Sequence, residues 1–197
     1  YNELIETKIL TENSIKNYRF DEAAKTIYKF VWNTYCDWYL ELSKTILLSK
    51  NNSDIKEIKT TSGQVFKEIL ILLHPFIPFI TEELWLRNKL KTKNTKYLMY
   101  SNWISLKKLK TDKSIQSVNE IIELISSVRS FKNELNVSPG SFVDISIEKL
   151  DKKKQMLYLK NEIIIKKLGR INSIFKKDMS KQSANLVFGG QILKLYF

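Results

Sequence analysis

The chain has 197 residues, 43% apolar and 12% aromatic, with 33 basic against 21 acidic side chains and a net charge of +12. That length and apolar share suit one large or two small globular domains and exclude a disordered chain. There is no run of the ~18 apolar residues that a membrane span needs, and the single cysteine, Cys36, excludes an intrachain disulfide. A reducing cytoplasm is the expected setting. The opening stretch, YNELIETKIL, has no Met and no charged-then-apolar leader and reads as the inside of a helix, as expected of a piece of a longer protein.

In chain order, a helix is predicted over residues 3–17. Asp21 is the expected N-cap of a long helix near 22–49, with Glu22 in its first turn. Ala24, Ile27, Tyr28, Val31, Tyr35, Trp38, Tyr39, Leu42 and Ile46 form its apolar stripe, and Phe30 and Trp32 lie beyond it. SKNNSD is a loop, and a third helix follows over 54–73 through Ile58, Val65, Ile69 and Leu72. In LLHPFIPFITEELW (72–85), Pro75 disfavours helical geometry at His74 and ends that helix. Pro78 and Thr81 can start the next one, with Glu82 and Glu83 as first-turn charges, so the stretch is expected to be a sharp, buried elbow. Residues 90–111 are a Lys-rich loop around the apolar island YLMYSNWI. Another helix is predicted over 112–136, through Ile115, Val118, Ile122, Ile125, Val128 and Leu135. After NVSPG the pattern changes: Phe142, Ile145 and Ile147 alternate as in a strand, a basic helix spans 151–168, and two apolar runs flank Gly189-Gly190 as a β-hairpin. The expected class is mainly α. A helical bundle over 1–138 is followed by a small α+β subdomain over 139–197.

The charge is uneven. Residues 1–86 carry −2, residues 87–113 carry +8, residues 114–148 carry −3, residues 149–181 carry +8 and the tail +1. Of the 33 basic residues 29 are Lys, as AT-rich coding drift would produce, but drift spreads charge more evenly. Two concentrated basic segments point to nucleic acid. No catalytic site is legible. One Cys and one His give no metal-ligand spacing, there is no phosphate-cradling Gly loop, and His74, directly before a proline, reads as a helix-end or core residue. Aromatics beside Lys-rich segments suit RNA, whose unstacked bases stack on rings while cations hold phosphates. Most aromatics of the 22–49 helix lie on its core stripe. Phe20 differs, since a hydrophobic staple would need an apolar residue at position 25 and Lys25 stands there. Packing elsewhere in the bundle is the alternative for Phe20.

YRFDEAAKTIYKFVWNTYCDWYLEL (18–42), LLHPFIPFITEELW, IIELISSVRSFKNELNVSPG (121–140) and the closing VFGGQILKL, in that order, resemble the anticodon-binding region of class I aminoacyl-tRNA synthetases of the Val/Ile/Leu/Met group. The resemblance is strongest to the valyl branch, through CDWYLE and HPFIPFITEELW. Leucyl enzymes typically carry a His after the second proline of the elbow, where Phe79 stands here. The resemblance implies an anticodon-binding bundle followed by an α+β subdomain, with tRNA(Val) and its anticodon stem-loop as partner, no membrane and a monomeric state. A longer parent would join valine to tRNA with ATP and Mg²⁺. Its synthetic site, with HIGH and KMSKS motifs, would lie upstream, leaving this chain non-catalytic and without a cofactor. KKDMSK at 176–181 echoes KMSKS only with its order broken. The family commonly adds a C-terminal coiled-coil arm, and none precedes Phe197.

In the family the bundle reads the anticodon, whose last two bases for valine are A and C. Phe20 is the expected stacking residue and Arg19 the holder of a phosphate or base edge. Arg87, Lys89, Lys91, Lys93, Arg129 and Lys132 are candidate backbone contacts, against a plain solvated surface for each Lys. The elbow is assigned to packing alone. The competing class is a helical interaction domain that binds protein or acidic surfaces without base preference.

Overall fold

The computed structural model describes residues 1–48, 52–90, 95–103, 113–179 and 183–197. Two compact units divide the chain, Tyr1–Lys110 and Thr111–Phe197. The break lies upstream of the 138/139 boundary drawn from sequence. That boundary follows the change from helical to alternating pattern, whereas the helix before it packs with the second unit: α6 (Lys113–Glu134) lies against α8 (Glu162–Gly169) and β3 (Ser183–Phe188).

The described secondary-structure elements of the first unit are all helical. α1 (Asn2–Lys16) ends in a tight turn, where Tyr18 takes a left-handed conformation (φ 57°) and the Arg19 amide donates to the Ser14 carbonyl at 2.8 Å. α2 (Phe20–Lys29) starts before the expected residue 22. Arg19, not Asp21, is its N-cap, and Asp21 sits with Glu22 in the first turn as a dipole charge. The helix then widens into a π-helical stretch, Phe30–Leu40, before α3 (Glu41–Leu47). The wider i→i+5 turn changes which side chains face inward. Ala23, Ile27, Phe30, Tyr35 and Ser43 are buried, while Tyr28 and Trp32 are exposed and stacked at 6.1 Å. Ala23, Ile27 and Phe30 keep the i, i+4, i+7 spacing of an ordinary α-helix, so Ala24 and Tyr28 were placed inside and Phe30 outside by a stripe set off-register ahead of the wide turns. Tyr35, pushed up to about 12 by burial, donates its hydroxyl to the Ser62 carbonyl.

α4 (Asn52–Leu73) uses two faces. Val65, Ile69 and Leu72 join Leu4, Ile27, Phe30 and Tyr35 in one core, while Leu70 and Ile71 pack with Trp85 and Leu98 in a second. Glu68 lies between them at 3% exposure, accepting a hydrogen bond from Gln64 at 2.7 Å, and burial raises its carboxyl above the ordinary value. The sign is that of a destabilising ionisation: the unfolded chain loses the proton first, so this site's contribution to stability is full below the ordinary glutamate pKa and is lost as pH rises through the raised one. Glu68→Gln is thus expected to raise the urea midpoint at neutral pH and to change it little below about pH 4. A midpoint difference that does not vary with pH would rule this origin out.

The elbow starts α5 (Pro78–Arg87) with Pro78 at its first position, as expected. It is not wholly buried: Thr81 and Trp85 are enclosed, but Phe79 is 91% exposed and Ile77 and Ile80 are about half exposed. His74, just after α4, has its Nδ1 2.8 Å from the Thr81 hydroxyl oxygen, whose single proton has the Ile77 and Pro78 carbonyls, each at 3.0 Å, as acceptors. Glu82 and Glu83 lie one turn too late to act on the helix start. Glu82 instead accepts the Leu98 amide with both oxygens at 3.0 Å, anchoring the 3₁₀ turn Leu98–Tyr100, and Glu83 pairs with Arg87 at 2.5 Å.

In the second unit, α6 buries Ile121, Leu124, Ile125, Val128 and Lys132, whereas Ile115, Val118 and Leu135 are exposed, so its inner face is rotated from the expected stripe. β1 (Val143–Ser146) turns Val143 and Ile145 inward, as is Ile147 just after it, and leaves Phe142 outside. The basic helix is two helices, α7 (Lys152–Lys160), capped by Asp151, and α8, separated at Asn161. β2 (Ile171–Phe175) was not foreseen and pairs parallel with β1, so α7 and α8 are a βαβ crossover. β3 and β4 (Gln191–Tyr196) form the expected hairpin, with Gly189 and Gly190 both at positive φ, and the sheet order is β2-β1-β4-β3. No described helix is long and apolar enough to cross a membrane.

Candidate nucleic-acid interface

The turn between α1 and α2 sets up the first site. Because Arg19 is the N-cap and Phe20 the first helical residue, neither side chain is drawn into the bundle, and Phe20 is 54% exposed. Phe20 lines a cavity of about 660 Å³ with Glu12, Ile15 and Lys16 of α1, Pro75 and Phe76 of the elbow, and Trp103. The walls are mainly apolar, and two polar groups matter. Trp103 Nε1 is buried and faces the Glu12 carboxylate, which is held below its ordinary pKa chiefly by Lys16 at 2.9 Å and further by the indole N–H. An aromatic wall, with an N–H donor and a carboxylate acceptor side by side, has the elements of a pocket for a planar heterocycle. The elbow, expected to serve packing alone, forms one wall of this cavity.

Arg19 lies at the entrance in sequence but is not free. It forms an ion pair with Glu22 and approaches Asp21 at 3.8 Å. Tyr18 was missed as a candidate. Its 83% exposure follows from the left-handed backbone, uncommon for a bulky residue, which places its ring next in sequence to Arg19 and Phe20. Short spacing between two helical patterns was the available signal. Trp103 could not have been foreseen, since it reaches the cavity from a loop remote in sequence, and Glu12 was missed although it lies on the helix just before Phe20.

The other candidates are spread over both units. Arg87 is exposed at the end of α5 and paired with Glu83, and Lys89 follows it in a left-handed turn (φ 54°), also exposed. Lys91 and Lys93 lie outside the described residues. Of Arg129 and Lys132, both expected at the surface, Arg129 is exposed and Lys132 is buried. Arg129 donates through Nε and Nη2 to the Leu168 carbonyl at 3.0 and 2.6 Å, and Lys132, 2% exposed, donates to the Ser141 carbonyl. Position 132 continues the inner face of Val128 by one turn, which is why its stem is buried. Among the described residues there is no group of three or more His, Cys, Asp or Glu placed to hold a metal ion.

Residues 1–147 match the family described as the anticodon-binding domain of tRNA ligase. The chain belongs to this family. It is also similar, over its whole length and at 55% identity, to a valine–tRNA ligase of Pelagibacter ubique, of which it spans 22%. At 37% identity, 88% of the chain matches 20% of a valine–tRNA ligase of Zymomonas mobilis, and at 36%, 84% matches 16% of one from Ruegeria pomeroyi. The chain therefore spans about a fifth of the length of these curated relatives. In this anticodon-binding domain, the first unit and the start of the second fall within the family match, and the βαβ crossover and hairpin lie mostly beyond it.

Proposed function

We propose that this chain is the anticodon-recognition part of a valine–tRNA ligase, binding the anticodon stem-loop of tRNA(Val) for a parent enzyme that uses ATP and Mg²⁺ in the cytoplasm. The observation that carries this reading is the cavity beside Phe20. An unstacked anticodon base stacks on the half-exposed Phe20 ring. The Trp103 N–H and the Glu12 carboxylate, which face each other in the cavity, offer a donor and an acceptor to its edge once parted by the base, which apolar walls alone would not discriminate. Arg19 exchanges Glu22 for a phosphate, with Arg87 and Lys89 as further cations for the backbone. The relatives support valine as the amino acid, and the parent's activity follows from them alone.

The test is an anisotropy titration of the chain against a valine anticodon stem-loop and against the same stem-loop with its last two anticodon bases exchanged, at two salt concentrations. Exchange is expected to weaken binding about tenfold at both, the order of a single good base contact. Equal affinities that fall together with salt would instead leave only electrostatic attraction.

A further inference from the structure

The second basic segment, residues 149–181, has no part in the site beside Phe20, and the fold gathers much of it at one end of the sheet. β1 and β2 are parallel and end side by side, where the Ile147 amide donates to the Phe175 carbonyl at 2.9 Å. β4 runs antiparallel to β1, so the hairpin turn lies at this same end, and there the Asp151 amide donates to the Gln191 side chain at 3.0 Å. Five exposed lysines meet here: Lys149 after β1, Lys152 and Lys153 in the first turn of α7, and Lys176 and Lys177 after β2. Two further lysines and three carboxylates lie among them, and these have partners. Asp178 forms an ion pair with Lys194, Glu148 accepts the Asp178 amide at 2.6 Å, and Asp151 caps α7 on the Lys154 amide at 2.8 Å. The Lys154 ammonium rests 5.4 Å from the Phe188 ring centroid. Seven lysines against three carboxylates leave this end of the sheet at +4. Lys152, Lys153, Lys176 and Lys177 form no ion pair with a described residue, and Lys149 adds to the field of Lys194 at Asp178.

The kind of charge selects the partner. An ammonium is a point charge without the planar fork with which arginine grips a base edge, and no arginine stands among these residues. The rings at this end give no stacking platform, since Phe188 and Tyr196 are buried and Phe175 is half-buried. What remains is attraction to a line of negative charge. The five ammoniums come from three segments and share no acceptor that would concentrate them on one small ion, whereas a nucleic-acid strand repeats its phosphates every few ångströms. We propose that this end of the sheet is a second RNA contact, in which Lys149, Lys152, Lys153, Lys176 and Lys177 bind the sugar–phosphate backbone without regard to base. It rests on the anticodon reading only for the identity of the polyanion.

The test is a salt series of titrations of the full chain with the valine anticodon stem-loop, using three double variants of equal charge. Lys152→Gln with Lys153→Gln and Lys176→Gln with Lys177→Gln alter the surface from two different segments. Lys56→Gln with Lys59→Gln, exposed on α4 and outside the Phe20 cavity, is the control. Circular dichroism and the urea midpoint, expected unchanged at these exposed positions, show that each variant is folded. Each surface pair is expected to weaken binding about fivefold or more at low salt. It should also lower the slope of log K against log salt by about one to two, since each lost phosphate contact removes about one. The control pair should keep the slope, and the penalty for exchanging the anticodon bases should stay the same in all three. Three pairs that behave alike would overturn the proposal and reduce the effect to net charge. Slopes unaltered in both surface pairs would also overturn it and leave the surface to an acidic protein. A chain without base preference sinks the anticodon reading while the salt result stands, so the two readings fail separately.

Discussion

Trp85→Ala is expected to lower the unfolding free energy of the first unit by about 3–5 kcal/mol, the range for removing a buried large aromatic. Trp85 is fully enclosed among Leu70, Ile71 and Leu98, with the Lys67 ammonium 5.7 Å from its ring centroid. It anchors α5 and the 3₁₀ turn against α4. Phe79, one and a half turns earlier on the same helix, is the contrast. It is 91% exposed, and Phe79→Ala is expected to change stability by no more than about 0.5 kcal/mol. All four tryptophans, Trp32, Trp38, Trp85 and Trp103, belong to the first unit, so intrinsic fluorescence in a urea titration follows that unit alone. Similar losses for the two variants would mean that the elbow is covered where it is described as open.

Phe20→Ala is expected to weaken binding of the valine anticodon stem-loop by about 1–3 kcal/mol, the range for loss of one base–aromatic stack. The urea midpoint should stay within experimental error, because half of the ring faces solvent and the rest faces a cavity. Tyr28→Ala serves as the companion. Tyr28 is equally exposed but stacked on Trp32, away from the residues that line the cavity, and its loss is expected to leave base discrimination unchanged. Joint loss of stability and binding in Phe20→Ala would make Phe20 a packing residue and remove it from the interface. Comparable losses in both variants would spread the contact over the helix and away from the cavity.

What the sequence disclosed follows from how local each signal was. The two-glycine hairpin, the Pro78 helix start and the end of α4 before Pro75 rest on backbone preferences of one or two residues and were readable as they stand. The exposure of Phe20 was expected from a staple that Lys25 could not complete, an argument that put the cap at Asp21; with Arg19 as the cap, Phe20 is the first helical residue and its exposure has another origin. The inner face of the long second helix was misread first by a stripe set off-register at Ala24 and Tyr28, and beyond Phe30 an α-helical period was carried across a π-helical stretch whose wide turns shift it. β2 was missed because INSIF is short and pairs with a strand remote in sequence. Lys132 was read as a surface contact because a charged side chain marks a solvated face unless a carbonyl awaits it, and the Ser141 carbonyl reaches it only after the Pro139 turn. The cavity beside Phe20 combines α1, the elbow and Trp103, a convergence that only the fold creates.

The wide turns between Phe30 and Leu40 also bear on how this protein can change in length. A π-helical turn accommodates an extra residue without opening a loop, so the chain carries added length inside a helix whose ends stay in place. Removing one residue there converts a wide turn to an ordinary one and preserves hydrogen bonding, but it rotates everything after it relative to Tyr28 and Trp32. Gaps between this chain and its relatives are then tolerable in the middle of a packed helix, and each one re-aims an exposed aromatic pair while the core beneath is kept.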